Sequence, residues 1–177
     1  AVMVNASELV KNNTLSKSMK LIEKLFTTSN KSKIKLLIIA CHYNEIQKVM
    51  LLIKKLKSYR FKIALNLMQS SDRSEKEIKN FCQLSKKNNI DILYFADSTG
   101  SLNSKRTSEI TNIFKKYWDG HLGIHAHDNM GKAMENSITA IEKGANWVDS
   151  TVLGMGRGPG NVTTESLVIE LEKKFNK

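Results

Sequence analysis

The stretch DILYFADSTG, residues 91–100, decides how the chain is read. From Ile92 to Ala96 every residue is apolar or aromatic; then Asp97, Ser98, Thr99 and Gly100 break the run. A strand with one face in water alternates apolar and polar residues, whereas a strand covered on both faces reads as an unbroken apolar run. This segment is of the second kind, so it belongs in a buried, parallel sheet. A helix follows it over about Ser104–Trp118, with Ile110, Ile113, Phe114 and Tyr117 recurring at helical spacing.

Working outward, the same unit recurs. KLLIIAC (35–41) precedes a helical pattern in Tyr43–Tyr59 with Ile46, Val49, Met50, Ile53 and Leu56 on one face. KIALNLM (62–68) precedes a helix announced by Ser74 and Glu77, a capping-box pair, with Ile78, Phe81 and Cys82 inward. HLGIHAH (121–127) leads to a helix carrying Met130, Ala133, Met134, Ser137 and Ile141, and NWVDSTVLG (146–154) to one carrying Leu167, Val168, Leu171 and Phe175. AVMVN (1–5) with Leu15–Phe26 makes one more unit.

The later strands start 25 to 30 residues apart, at Lys35, Lys62, Asp91, His121 and Asn146. Strict alternation at that length predicts an α/β fold with a parallel sheet and right-handed crossovers, either a barrel or a doubly wound sheet. No strand opens onto a GxGxxG or GxxxxGK[ST] loop, which argues against the nucleotide-binding folds. Polar residues gather instead at the C-terminal strand ends, in ACH, LMQSS, ADSTG, HAHDN and GMGRGPGN. In a parallel barrel that is the face where chemistry is done. Six units are present against the eight a closed barrel requires, so residues 1–177 are expected to form one incomplete barrel domain that starts partway into a larger fold.

Composition narrows the function. The net charge of +11 is uneven: residues 1–60 carry twelve Lys or Arg against three Glu, and the remainder sixteen against fourteen. Only four of the 28 basic residues are Arg, the side chain suited to bidentate phosphate or guanine contacts, so no nucleic-acid partner is expected. There is no apolar run of membrane-spanning length and no signal-peptide pattern at the start, and the expected location is cytoplasmic, away from membranes. Cys41 and Cys82 are too few for a disulfide framework and read as reduced thiols.

The residues that could do chemistry lie at the strand ends. His125 and His127 are one residue apart in GIHAHDNMG (123–131), and a strand puts residues i and i+2 on one face. Two imidazoles pointing the same way make half of a divalent-metal site; the alternative is a buried, hydrogen-bonded core histidine. The glycines of LGMGRGPGN (153–161) permit backbone that leaves amides facing an anion just before a helix, with Arg157 offering a fork to a carboxylate; the alternative is a plain flexible connection. Asp97 and Ser98 end one strand, where Asp97 either serves the site or caps the turn. His42 ends another, as an acid–base candidate or a satisfied histidine.

At these residues the chain resembles the DRE-TIM metallolyase superfamily, the HMGL-like or pyruvate carboxyltransferase domain. The motifs are GIHAHDNMGKAMENSITAIEKGANWVDSTVLGMGRGPGN, ADSTG and ALNLM, and the likeness is strongest toward 4-hydroxy-2-oxovalerate aldolase-like members. The resemblance implies a (β/α)8 TIM barrel, here strands three to eight, with Mn²⁺, Mg²⁺ or Zn²⁺ at the C-terminal mouth. It implies His125 and His127 as metal ligands with Asn161 at or near the ion, and a small 2-oxo acid such as pyruvate held by Ser98; Asp97 and Arg157, read from their strand-end and loop positions, are the further substrate-binding candidates. The implied activity is cleavage or formation of a C–C bond beside the oxo acid, by a protein that can form a homo-oligomer. The alternatives are a Claisen-type acyltransferase resembling isopropylmalate synthase, or an inactive barrel fragment. The family's first-strand Arg–Asp pair has no counterpart in this sequence, in keeping with strands three to eight; the glycine-loop cysteine of hydroxymethylglutaryl-CoA lyase is absent from GMGRGPGN, which excludes that lyase.

Overall fold

The computed structural model describes residues 1–10, 14–26 and 33–176. Its strands are β1 (Val2–Asn5), β2 (Leu36–Cys41), β3 (Lys62–Leu67), β4 (Ile92–Asp97), β5 (His121–Ala126) and β6 (Trp147–Val148). Between and after them run α1 (Ala6–Val10), α2 (Leu15–Phe26), α3 (Ile46–Ser58), α4 (Glu75–Lys87), α5 (Ser104–Tyr117), α6 (Ala133–Glu142) and α7 (Thr164–Phe175). The helix starts follow from their caps. Ser74 and Glu77 form the reciprocal capping box of α4, Asn103 accepts the Arg106 amide at 2.9 Å, and Asp128 accepts the Ala133 amide at 2.8 Å.

The sheet order is β1-β2-β3-β4-β5-β6, and every pairing is parallel. A doubly wound sheet reverses its strand order midway; this one does not. Alternate strand residues separate two environments. Leu37, Ile39, Leu65, Leu93, Phe95, Leu122 and Ile124 pack into the core shared with the helices, where Phe114 stacks on Phe95 (5.7 Å) and meets Phe81 edge-on (6.1 Å). Burying one such side chain contributes about 2–3 kcal/mol. Ile38, Ala64, Ile92 and Tyr94 point the other way and form a second cluster that contains no helix residue.

That second face is nonetheless buried, with Ala64 at 0% and Tyr94 at 1% exposure. Since no helix joins its cluster, the sheet must roll so that its own strands cover it. Consistent with this, β1 and β5 residues four strands apart line one hollow. The architecture is an incomplete barrel: β1 and β6 are the two ends of the order and do not pair with each other. No helix among the described residues is long and apolar enough to cross a membrane.

Two local details differ from the sequence pattern. The short α1 is not foreshadowed by periodicity, and β6 is two residues long although the segment expected as a strand, residues 146–154, extends further. The cause of the second is a competing partner: Thr151 donates its amide to Val162 (2.9 Å) and bridges to Thr163, drawing the chain away from β5. Of the face expected on α7, Leu167 is buried while Val168 is 56% exposed.

Candidate active site

The site is built from the end of β5. Leu122, Ile124 and Ala126 face the helix-side core, so the pleat sends Gly123, His125 and His127 to the inner face. The two imidazole rings lie with centroids 5.1 Å apart and planes at 76°. Burial first, then the neighbouring His125 and Arg157, holds the His127 imidazole below the usual histidine range. It is therefore neutral near pH 7, the form that ligates metals. His125 Nδ1 is 2.9 Å from Asp149 Oδ2.

Asn161 reaches this point through the glycine loop. Its side-chain amide donates to Ala126 O (3.1 Å), its backbone N–H donates to Gly154 O (3.0 Å), and it bridges to His127. Such close backbone approach requires glycine. At Gly160 (φ +92°) a Cβ would fall 1.9 Å from Gly154 O, and at Gly156 it would fall 2.2 Å from Asn161 Oδ1. The amides of Gly154, Gly160 and Asn161 are all bonded within the segment, to Thr151, Arg157 and Gly154 respectively. These glycines thus position Asn161; they do not present those amides to an anion.

His125, His127, Asn161 and Arg157 form one wall of a hollow of about 430 Å³, and Met3, Asn5 and Glu8 form another. Ser98 begins the turn that follows β4, one residue beyond the Asp97–Ala126 pair. Its Oγ accepts the Gln69 amide at 3.0 Å. Asp97 points away from the inner face. It is 0% exposed and takes the amides of Ser101 (2.9 Å) and Leu102 (3.1 Å), closing the turn, while burial raises its carboxyl above the usual range. His42 lines a different hollow with Asn44, Gln69 and Arg73.

Asp149, Asn5 and Glu8 were not singled out by sequence reasoning. Asp149 carries a signal that needs register: Trp147 pairs with Gly123, so the residue two positions on sits beside His125. Glu8 carries none, because α1 itself is unannounced.

A scan against family models matches the HMGL-like family over residues 3–175. The chain belongs to the HMGL-like family. It is 35% identical over 107 residues to a 4-hydroxy-2-oxovalerate aldolase of Pelotomaculum thermopropionicum, covering 60% of this chain and 32% of that protein. With the enzyme of the same name from Geobacillus thermodenitrificans it shares 30% identity over 143 residues, covering 81% and 42%. The chain therefore spans about a third to two-fifths of these curated relatives. Among solved structures it resembles the N-terminal domain of a candidate aldolase from Bacteroides vulgatus, with TM-score 0.80, 29% identity, and coverage of 99% of this chain and 56% of that one. An HMG-CoA lyase of Bacillus subtilis superposes with TM-score 0.76 at 16% identity, covering 85% and 60%, a likeness of fold.

The family implies a divalent metal, and the donor chemistry at β5 fits one. Two imidazoles share a face with an amide side chain beside them, a set typical of borderline cations. Among the described residues no group of three or more His, Cys, Asp or Glu side chains is arranged to hold a metal, so the imidazole pair would supply only part of a coordination sphere.

Proposed function

We propose that this HMGL-like chain carries the metal- and oxo-acid-binding part of an aldolase or lyase that cleaves or forms a C–C bond beside a 2-oxo acid. The observation that carries the reading is the pair of same-face imidazoles opening, with Asn161 and Arg157, onto one hollow. His125, His127 and the Asn161 side chain are the groups that would hold a divalent ion. When bound, such an ion supplies stabilisation for the negative charge that develops on a carbonyl oxygen as the adjacent C–C bond breaks.

The chain's own residues do the rest by position. Arg157, on the rim, offers a planar fork to the substrate carboxylate. Ser98 Oγ, already accepting the Gln69 amide, keeps its own proton to donate to a substrate oxygen. The aldolase relatives favour a 4-hydroxy-2-oxo acid as substrate and pyruvate as product. The test is pyruvate release from 4-hydroxy-2-oxopentanoate by the intact protein with Mn²⁺. Turnover abolished by EDTA and by His127→Ala supports the reading; turnover that survives either one contradicts it.

A further inference from the structure

We propose that Asp149 is the positioning residue for His125, fixing the ring with its Nδ1 protonated and its Nε2 lone pair directed into the hollow. Tyr94 backs this carboxylate from a space that exists because residue 123 is glycine. The proposal rests on the reading of His125 as a ligand and adds the device that orients it.

The arrangement follows from the sheet. Tyr94 pairs with Gly123, Gly123 with Trp147, and Ala96 with His125, so Tyr94, Gly123, His125 and Asp149 occupy the same inner face of three adjacent strands. A Cβ on Gly123 would lie 2.3 Å from Tyr94 Cε1, inside the ring's own volume. The ring therefore lies flat across β5, packed in the cluster with Ile38, Ala64 and Ile92, and it is 1% exposed. Burial first, and then the Asp149 carboxylate on the same face, raise its hydroxyl above the usual tyrosine range.

Asp149 Oδ2 stands 2.9 Å from His125 Nδ1. An ionised carboxylate only accepts, so a neutral imidazole bonded to it through Nδ1 must carry its proton there, leaving Nε2 as the free lone pair. The 1,3 relation of the two nitrogens then directs Nε2 away from Asp149. Carboxylate partners of this kind orient metal-ligating histidines, and their loss typically costs 10–100-fold in affinity. Nothing else in the described residues bonds His125 Nδ1, and Asp149 is not among the hollow's lining groups.

The experiment uses ¹⁵N-histidine-labelled, metal-free protein and long-range ¹H–¹⁵N correlation spectra, followed by Mn²⁺ titration of the same samples. The expected wild-type result is a pyrrole-type Nδ1 and a pyridine-type Nε2 at His125. Asp149→Ala should lose that tautomer preference and bind Mn²⁺ roughly 10- to 100-fold more weakly. Asp149→Asn, which keeps an acceptor oxygen, should restore the tautomer. Tyr94→Phe keeps the ring and removes only the hydroxyl, so it reports even if Asp149→Ala does not fold; it should weaken Mn²⁺ by about 2- to 10-fold, less than removal of the direct partner. An Nε2-protonated His125 in the wild type, or Asp149→Ala and Tyr94→Phe both retaining the tautomer and Mn²⁺ affinity within about twofold of wild type, overturns the proposal. A wild-type Nδ1–H tautomer that Asp149→Ala abolishes, in a protein that binds no Mn²⁺, upholds the positioning role and overturns the ligand reading of His125.

Discussion

Two ends of the same sheet each offer a histidine, and only one of them assembles a site. At the end of β5, His125 and His127 face inward, Asn161 folds back onto them, and Arg157 shares their hollow. At the ends of β2 and β3, the His42 amide donates to Glu45 Oε2 (2.9 Å), and Arg73 pairs with Glu77 (3.0 Å) while donating to Gln69 O. The polar groups of the second region close their own βα turns. Those of the first set two imidazoles on one strand face beside the Asn161 side chain, whereas the hollow of the second is lined by groups tied into their turns. Location at the C-terminal rim of a parallel sheet is therefore not sufficient; what distinguishes a site is that its side chains remain after the turn's backbone has been satisfied.

The comparison is broken most directly by removing one histidine from each end. His127→Ala should lower Mn²⁺ affinity by more than the ~100-fold upper range typical for loss of an outer partner, whereas His42→Ala should change it less than about twofold. Calorimetric titration checks both; equal effects would erase the distinction. The glycine loop sharpens it next. Gly160→Ala drives a methyl into Gly154 O at a left-handed φ and should cost about 3 kcal/mol in urea unfolding, while Gly158→Ala, with nothing within 4 Å, should cost about 1 kcal/mol. Only the first should also weaken Mn²⁺ binding, because only it displaces Asn161. The smallest effect lies at the β3 end. Ser74→Ala removes half of the α4 capping box and should cost about 1 kcal/mol with Mn²⁺ affinity unchanged.

These contrasts also show what the sequence carries. The βα alternation and the His125–His127 pairing are legible because both rest on short periods, 3.6 and 2, that need no knowledge of neighbours. The Ser74–Glu77 box is legible for the same reason. Asp149 is not, because its role depends on which residue of β5 lies beside it, a fact of register. Asp97 reads equally as a site residue or a turn clamp; only its two bonds, to the Ser101 and Leu102 amides, reveal the clamp. The glycine loop reads as an anion cradle until the fold shows that Gly156 and Gly160 exist to let Asn161 close on β5. Glu8 enters the hollow from α1, a helix too short for any pattern to announce.

The central claim is that divalent metal goes to the β5 end and not to the β2 end. Mn²⁺ added at substoichiometric levels to ¹⁵N-histidine-labelled protein tests it in one spectrum, since a paramagnetic ion broadens nearby resonances. His121 starts the same strand four residues before His125, about 13 Å away at strand rise, and serves as the internal control. The account predicts that His125 and His127 vanish first while His42 and His121 stay sharp. Early loss of the His42 signals, or uniform broadening of all four, would contradict it.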